Sequence, residues 1–122
     1  MKSKKNLVFL GMMGSGKSSI GLLVAKKLRL EFIDIDKEIE KNSGLSISEI
    51  FETKGENFFR KFEEKITLKV LKQSSTVISL GGGAFINNII RNEVLKSHLS
   101  FWLNWNNQIL LNRIKKSTKR PL

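Results

Sequence analysis

The sequence predicts an α/β domain in three layers, a parallel β-sheet with helices on both faces. Three observations point to it. Short apolar runs of five or six residues alternate with longer amphipathic stretches from one end of the chain to the other. Those short runs read as strands buried on both faces rather than as alternating, half-solvated ones. Finally, the two glycine-rich stretches, GMMGSGKS and SLGGGAF, each fall at the end of such a run. In an open α/β sheet that is the ligand-binding edge.

The elements follow in order. NLVFL, residues 6 to 10, is a strand bounded by glycine, and KSSIGLLVAKKLRL after it carries Ile20, Leu23, Val24 and Leu28 at helical spacing. EFIDID is a second strand, with the helical stretch KEIEKN behind it. ISEIFE opens as a helix at Ser46, and Glu49 three residues on completes a capping-box pattern. NFFRKFEEKITLKVLKQ sets Phe59, Phe62, Ile66 and Val70 on one helical stripe. TVISL (76 to 80) is a third strand, NNIIRNEVLKS a helix, LSFWL a strand and NNQILLNRIKK a helix. There is no internal repeat, low-complexity tract or linker, so residues 1–122 form one domain with a modest core.

Composition removes several classes of function. With no cysteine and one histidine, His98, there is no disulfide framework, thiol nucleophile, thiolate metal site or histidine metal cluster. The N-terminal MKSKKNLVFLGMM imitates a secretory signal, but GSGK interrupts the apolar run. No stretch approaches the ~20 apolar residues of a membrane span. A cytoplasmic protein without a membrane partner is expected. The formal net charge of +11 is read as a solvated surface, since the lysines are scattered along helices and Trp102 and Trp105 look like packing residues, not a stacking platform. Nucleic acid is therefore not expected as a partner. A nucleic-acid binder would show steeply salt-dependent affinity.

GMMGSGKS fits G-x-x-x-x-G-K-[ST] through Gly11, Gly16, Lys17 and Ser18, after a strand and opening a helix. In such a loop, backbone N–H groups wrap phosphate oxygens and the helix N-terminus adds its positive end. Lys17 would reach the β- and γ-phosphates and Ser18 would ligate Mg²⁺. The nucleotide-contacting set is Gly14, Ser15, Gly16, Lys17, Ser18 and Ser19. The motif leaves open where the γ-phosphate goes, because small-molecule kinases, GTPases and motor ATPases share it. Asp34 and Asp36, two residues apart at the end of the second strand, would share one face of it. There they would serve a divalent cation or an acceptor hydroxyl; alternatively Asp36 caps the next helix and Asp34 faces solvent.

GMMGSGKSSIG, FIDIDKEIE, SISEIFETKGENFFRKFEE, ISLGGGAF and RIKKSTKRPL, in this order and at these separations, resemble the shikimate kinase family over nearly the whole chain. The resemblance implies a P-loop NTPase fold of the nucleoside monophosphate kinase type, and transfer of the γ-phosphate of ATP to the 3-hydroxyl of shikimate in chorismate biosynthesis. It implies that Asp34 holds Mg²⁺ through water alongside Ser18. Asp36 would bond the shikimate hydroxyls and help deprotonate the attacking one, so that Lys17, Asp36 and Arg120 form the catalytic set. Arg60 would grip the shikimate carboxylate, with Phe59 as an apolar wall. Gly81, Gly82 and Gly83 would close their backbone over the acceptor, Arg113 would contact nucleotide, and Arg120 would swing from a lid onto the phosphates. The regions are thus a P-loop at 11–18, acceptor-binding parts at about 34–60 and 81–83, and the start of a lid at about 113–122.

Family members continue past RPL, so the resemblance also implies a C-terminally truncated, incomplete domain. The last strand, a second carboxylate-binding arginine and an adenine loop would be missing from it. The family suggests a monomer at full length. Two other outcomes are a nucleotide-binding module without transfer and a different small-molecule kinase.

Overall fold

The structure is a computed structural model, described here for residues 6–11, 17–81 and 83–103. Its elements run β1 (Leu7–Gly11), α1 (Lys17–Leu28), β2 (Glu31–Asp34), α2 (Ile35–Ser43), α3 (Ile47–Lys54) and α4 (Glu56–Leu71). After these come β3 (Thr76–Ser79), a 3-10 turn (Ala84–Ile86), α5 (Asn88–Ser97) and β4 (Leu99–Leu103). The four strands make one wholly parallel sheet in the order β2-β3-β1-β4. The expected strands and sheet are therefore present among the described residues. The helix expected in NNQILLNRIKK lies outside them.

Both faces of the central strands β1 and β3 are covered, as their apolar runs require, whereas on the edge strand β4 Leu99, Phe101 and Trp102 are exposed, contrary to the expectation for LSFWL. Val8, Leu10, Ile78 and Leu80 point to one face and pack with Ile35, Ile39, Ile50, Phe59, Ile66, Val70, Ile90 and Val94 of α2 to α5. Phe9 and Val77, one residue out of phase, point to the other and pack with Ile20 and Ala25 of α1. This period of two on a doubly covered sheet explains why NLVFL and TVISL read as unbroken apolar runs. The α4 stripe is as expected, with Phe59, Ile66 and Val70 buried and Phe62 packed against them. On α1 the stripe reaches one turn too far. Leu28 is exposed and Ala25 is buried instead, where the helix closes on the sheet.

Local signals set several boundaries. Ser46 Oγ accepts from the Glu49 amide at 3.1 Å and Glu49 accepts from the Ser46 amide at 2.9 Å, the reciprocal box predicted for α3. Gly44 ends α2 at φ +75°, a conformation most side chains resist. At the amino-terminal edge of the sheet, buried Asn6 donates to Leu71 O (3.3 Å) and Gln73 O (2.9 Å) and accepts from Thr76 N (3.0 Å). One side chain thereby fastens the end of α4 to the start of β3 beside β1.

Candidate active site

The strands of a parallel sheet end on one side, and here their ends line up. Asp34, the last residue of β2, is level with Ser79 of β3, which is level with Phe9 of β1. β1 runs on to Gly11, and α1 starts at Lys17, so the glycine-rich motif sits between strand and helix as its chemistry requires. Lys17, Ser18 and Ser19 form the first turn of α1. Gly14, Ser15, Gly16, Gly82, Arg113 and Arg120 lie outside the described residues.

The two aspartates are placed differently from the sequence expectation. β2 stops at Asp34, and Asp36 belongs to the first turn of α2, so they do not share a strand face. Asp34 accepts a hydrogen bond from the Asp36 amide at 3.0 Å and acts as the N-cap. A carboxylate there complements the exposed amides and the dipole of the helix start, which is why the chain turns helical one residue after Asp34. Capping thus falls to Asp34 and not, as the alternative had it, to Asp36. Asp36 nevertheless reaches the glycine run, since a Cβ built on Gly81 would lie 3.3 Å from Asp36 Oδ1 and 3.8 Å from Glu63 Oε2.

Arg60 comes to the same place from α4. A Cβ on Gly83 would meet Arg60 Nη1 at 2.6 Å, Nη2 at 2.7 Å and Cζ at 2.9 Å, so the guanidinium lies directly against bare backbone. Gly83 has φ −84° and ψ −13°, values open to any residue. Glycine at this position therefore serves the close approach of Arg60 rather than the turn. Phe59 is buried against Phe51 (centroids 4.7 Å apart), and Arg60 Cζ stands 5.2 Å from the Phe59 ring centre. That is cation–π range, so Phe59 supports the guanidinium from below.

One member of the cluster was missed from the sequence. Glu63 is 2% exposed and accepts a 3.0 Å bond from Arg60 Nη1, while Glu56 lies 3.8 Å from Arg60 Nε at the solvent side. Burial raises the Glu63 carboxyl above its ordinary value, Arg60 opposes that through its hydrogen bond and charge, and the Asp36 charge adds to the rise. The signal was available as the i, i+3 spacing of Arg60 and Glu63 on one helix. Its burial was not, because nothing local places that face of α4 beneath the glycine run.

An open cavity of about 330 Å³ adjoins the guanidinium, lined by Glu56, Arg60, Gly83, Ile86 and Asn87. The described site thus joins a planar cation, a carboxylate on a helix start and glycine backbone, beside a strand–loop–helix phosphate motif. No group of three or more potential metal-ligating carboxylates or histidines occurs among the described residues. Ser18 and Asp34 are hard oxygen donors of the kind Mg²⁺ takes while keeping several waters.

Sheet and motif define a P-loop NTPase fold, with the Arg60 guanidinium beside an open cavity. The family model for shikimate kinase matches residues 13–122. The shikimate kinase of Rhizobium meliloti (strain 1021) is 44% identical over 119 residues, covering 98% of this chain and 62% of that protein. That of Bacillus subtilis (strain 168) is 49% identical over 108 residues, covering 84% and 58%. Among solved structures, shikimate kinase from Acinetobacter baumannii in complex with shikimate superposes with a TM-score of 0.82 at 32% identity, over 98% of this chain and 67% of that one. Shikimate kinase from Aquifex aeolicus gives 0.79 at 34%, over 86% and 62%. The chain belongs to the shikimate kinase family, and spans about three fifths of the length of these curated relatives.

Proposed function

We propose that this chain carries the phosphate-binding and acceptor-binding parts of a shikimate kinase, which transfers the γ-phosphate of ATP to a ring hydroxyl of shikimate. The observation that carries the proposal is the meeting of Arg60, Asp36, Gly81 and Gly83 at one edge of the sheet. Shikimate is a small carboxylate with several hydroxyls. Its carboxylate calls for a planar cation that can bind bidentately, and Arg60 is one. The hydroxyls call for an acceptor, which is Asp36, and for close backbone donors, a role the family resemblance gives to Gly81, Gly82 and Gly83.

In the transfer, a hydroxyl oxygen of shikimate forms the new O–P bond while the bond from the γ-phosphorus to the β–γ bridging oxygen breaks. The hydroxyl proton passes to the Asp36 carboxylate. Lys17, at the start of α1, neutralises charge on the β- and γ-phosphates, and the backbone amides of the motif hold them in line. Glu63 keeps Arg60 oriented for the acceptor carboxylate. Ser18 and Asp34 would hold Mg²⁺, which would supply charge neutralisation on the phosphates. Gly82, Arg113 and the lid arginine Arg120 complete the contacts that the family resemblance implies.

ADP release from MgATP by this chain, with and without shikimate and beside Lys17→Ala, tests the proposal. Shikimate-dependent turnover that vanishes in the variant is expected. A folded, nucleotide-binding chain whose ADP release ignores shikimate, and which binds no shikimate, would falsify the acceptor assignment.

A further inference from the structure

Arg60 lies against Gly83, and a second contact joins the same two segments. One helical turn farther along α4 stands Glu64, and four residues beyond Gly83 stands Asn87, with a 2.7 Å hydrogen bond from Asn87 Nδ2 to Glu64 Oε1. The Asn87 side chain is fixed at its other end too, because Oδ1 accepts from the amides of Ile89 (2.8 Å) and Ile90 (3.1 Å) and so caps α5. Amides at one end and a carboxylate at the other allow a single orientation of the Asn87 amide, since only the NH₂ group can face the carboxylate.

Residues four apart on a helix lie on one face, so Arg60 and Glu64 reach the same neighbouring segment. The two segments are therefore joined by two parallel rungs, Arg60 on Gly83 and Glu64 to Asn87. Between them open the walls of the cavity, Glu56 and Arg60 on the α4 side and Gly83, Ile86 and Asn87 on the other. The first rung is a contact that a bound carboxylate would draw upon. The second joins the same two walls through Asn87, which lines the cavity with Arg60.

We propose that Asn87 is a positioning residue, which through Glu64 sets the spacing of α4 from the Gly83–Asn87 segment and so the seat of Arg60 in the acceptor site. The assignment rests on the shikimate reading for its ligand, but its geometry does not. Loosening the rung lets the guanidinium drift from the carboxylate it must meet in the plane, and small misplacements of such a group are costly.

Three variants of this chain separate the roles. Asn87→Ser keeps a capping oxygen for α5 but is too short to reach Glu64. Glu64→Ala removes the rung and leaves the cap intact. Glu64→Gln removes the charge yet keeps the Oε1 acceptor. Shikimate and ADP binding would be measured by titration calorimetry, and the Arg60 Nε–H signal and Gly83 amide followed by ¹⁵N-resolved NMR without ligand.

Asn87→Ser and Glu64→Ala are expected to weaken shikimate about tenfold, with ADP affinity unchanged, while Glu64→Gln stays within about twofold of the parent. The Arg60 and Gly83 signals should move in the first two variants and hold in the third. If shikimate affinity and both signals are untouched in the folded Glu64→Ala chain, the proposal is overturned. It is equally overturned if Glu64→Gln behaves like Glu64→Ala, because charge and not the rung would then be responsible. Should the parent bind no shikimate, the functional reading fails, and the NMR signals alone decide the rung in the same way.

Discussion

Replacing Gly83 with alanine adds one methyl group at a point where the structure leaves no room for it. The new Cβ would stand 2.6 Å from Arg60 Nη1 and 2.9 Å from Cζ. Ordinary heavy-atom contacts begin near ~3.5 Å, so the guanidinium must retreat by about 1 Å. Its 3.0 Å bond to Glu63 would then stretch beyond hydrogen-bond range. The backbone at Gly83, with φ −84° and ψ −13°, accepts alanine without strain. Fewer unfolded conformations favour alanine by about 0.4–1 kcal/mol, which offsets part of the weakened ion pair. Stability should therefore stay near the parent's, while shikimate affinity falls roughly 10- to 100-fold, what losing a hydrogen bond to a charged group costs. Titration calorimetry with shikimate, beside thermal denaturation of the same samples, reads both quantities. A folded Gly83→Ala chain that binds shikimate within about twofold of the parent would refute the steric account of this glycine.

Glu63→Gln tests the buried carboxylate. Because folding raises its pKa above the ordinary 4.5, the native state holds its proton more tightly than the unfolded chain in the window just above 4.5. The parent should therefore lose stability relative to Glu63→Gln as pH rises through that window and level off above it; urea denaturation at several pH values showing the opposite slope would mean that Arg60 outweighs burial. Asn6→Ala would orphan the Thr76 amide and two carbonyls at once and should cost about 2–4 kcal/mol, read as a lower urea midpoint. A loss under about 0.5 kcal/mol would show that water replaces the side chain there. Asp34 caps α2 and, in the proposed function, also holds Mg²⁺: Asp34→Ala should lose about 1 kcal/mol of stability together with the proposed phosphoryl transfer, while Asp34→Ser, which can still cap α2, should recover the stability alone. Equal thermal midpoints for the two variants would remove the capping role.

Most of the sheet was legible because buried parallel strands announce themselves as unbroken apolar runs, and the α3 box because Ser46 and Glu49 meet within one turn. β2 ends where two local rules compete. The period of two continued through Asp36, but the capping oxygen of Asp34 ended the strand first. Glu63, Glu64 and Asn87 escaped notice because each acquires its role only from a partner, and two of those partners are distant in sequence: Glu63 beneath Gly81, and Glu64 bonded to Asn87.

By itself the sequence determined the alternation of strands and helices, the phosphate motif between β1 and α1, and the family to which the chain belongs. Each is written in short stretches whose spacing is fixed by covalent geometry and hydrogen-bonding period. Only the tertiary structure decided that Gly83 is bare so that Arg60 can lie on it, that Glu63 is buried with a raised pKa, and that Asn87 spans two walls. Those facts depend on how close two surfaces come once both faces of the sheet are packed, and no local pattern encodes a distance between segments that meet only on folding.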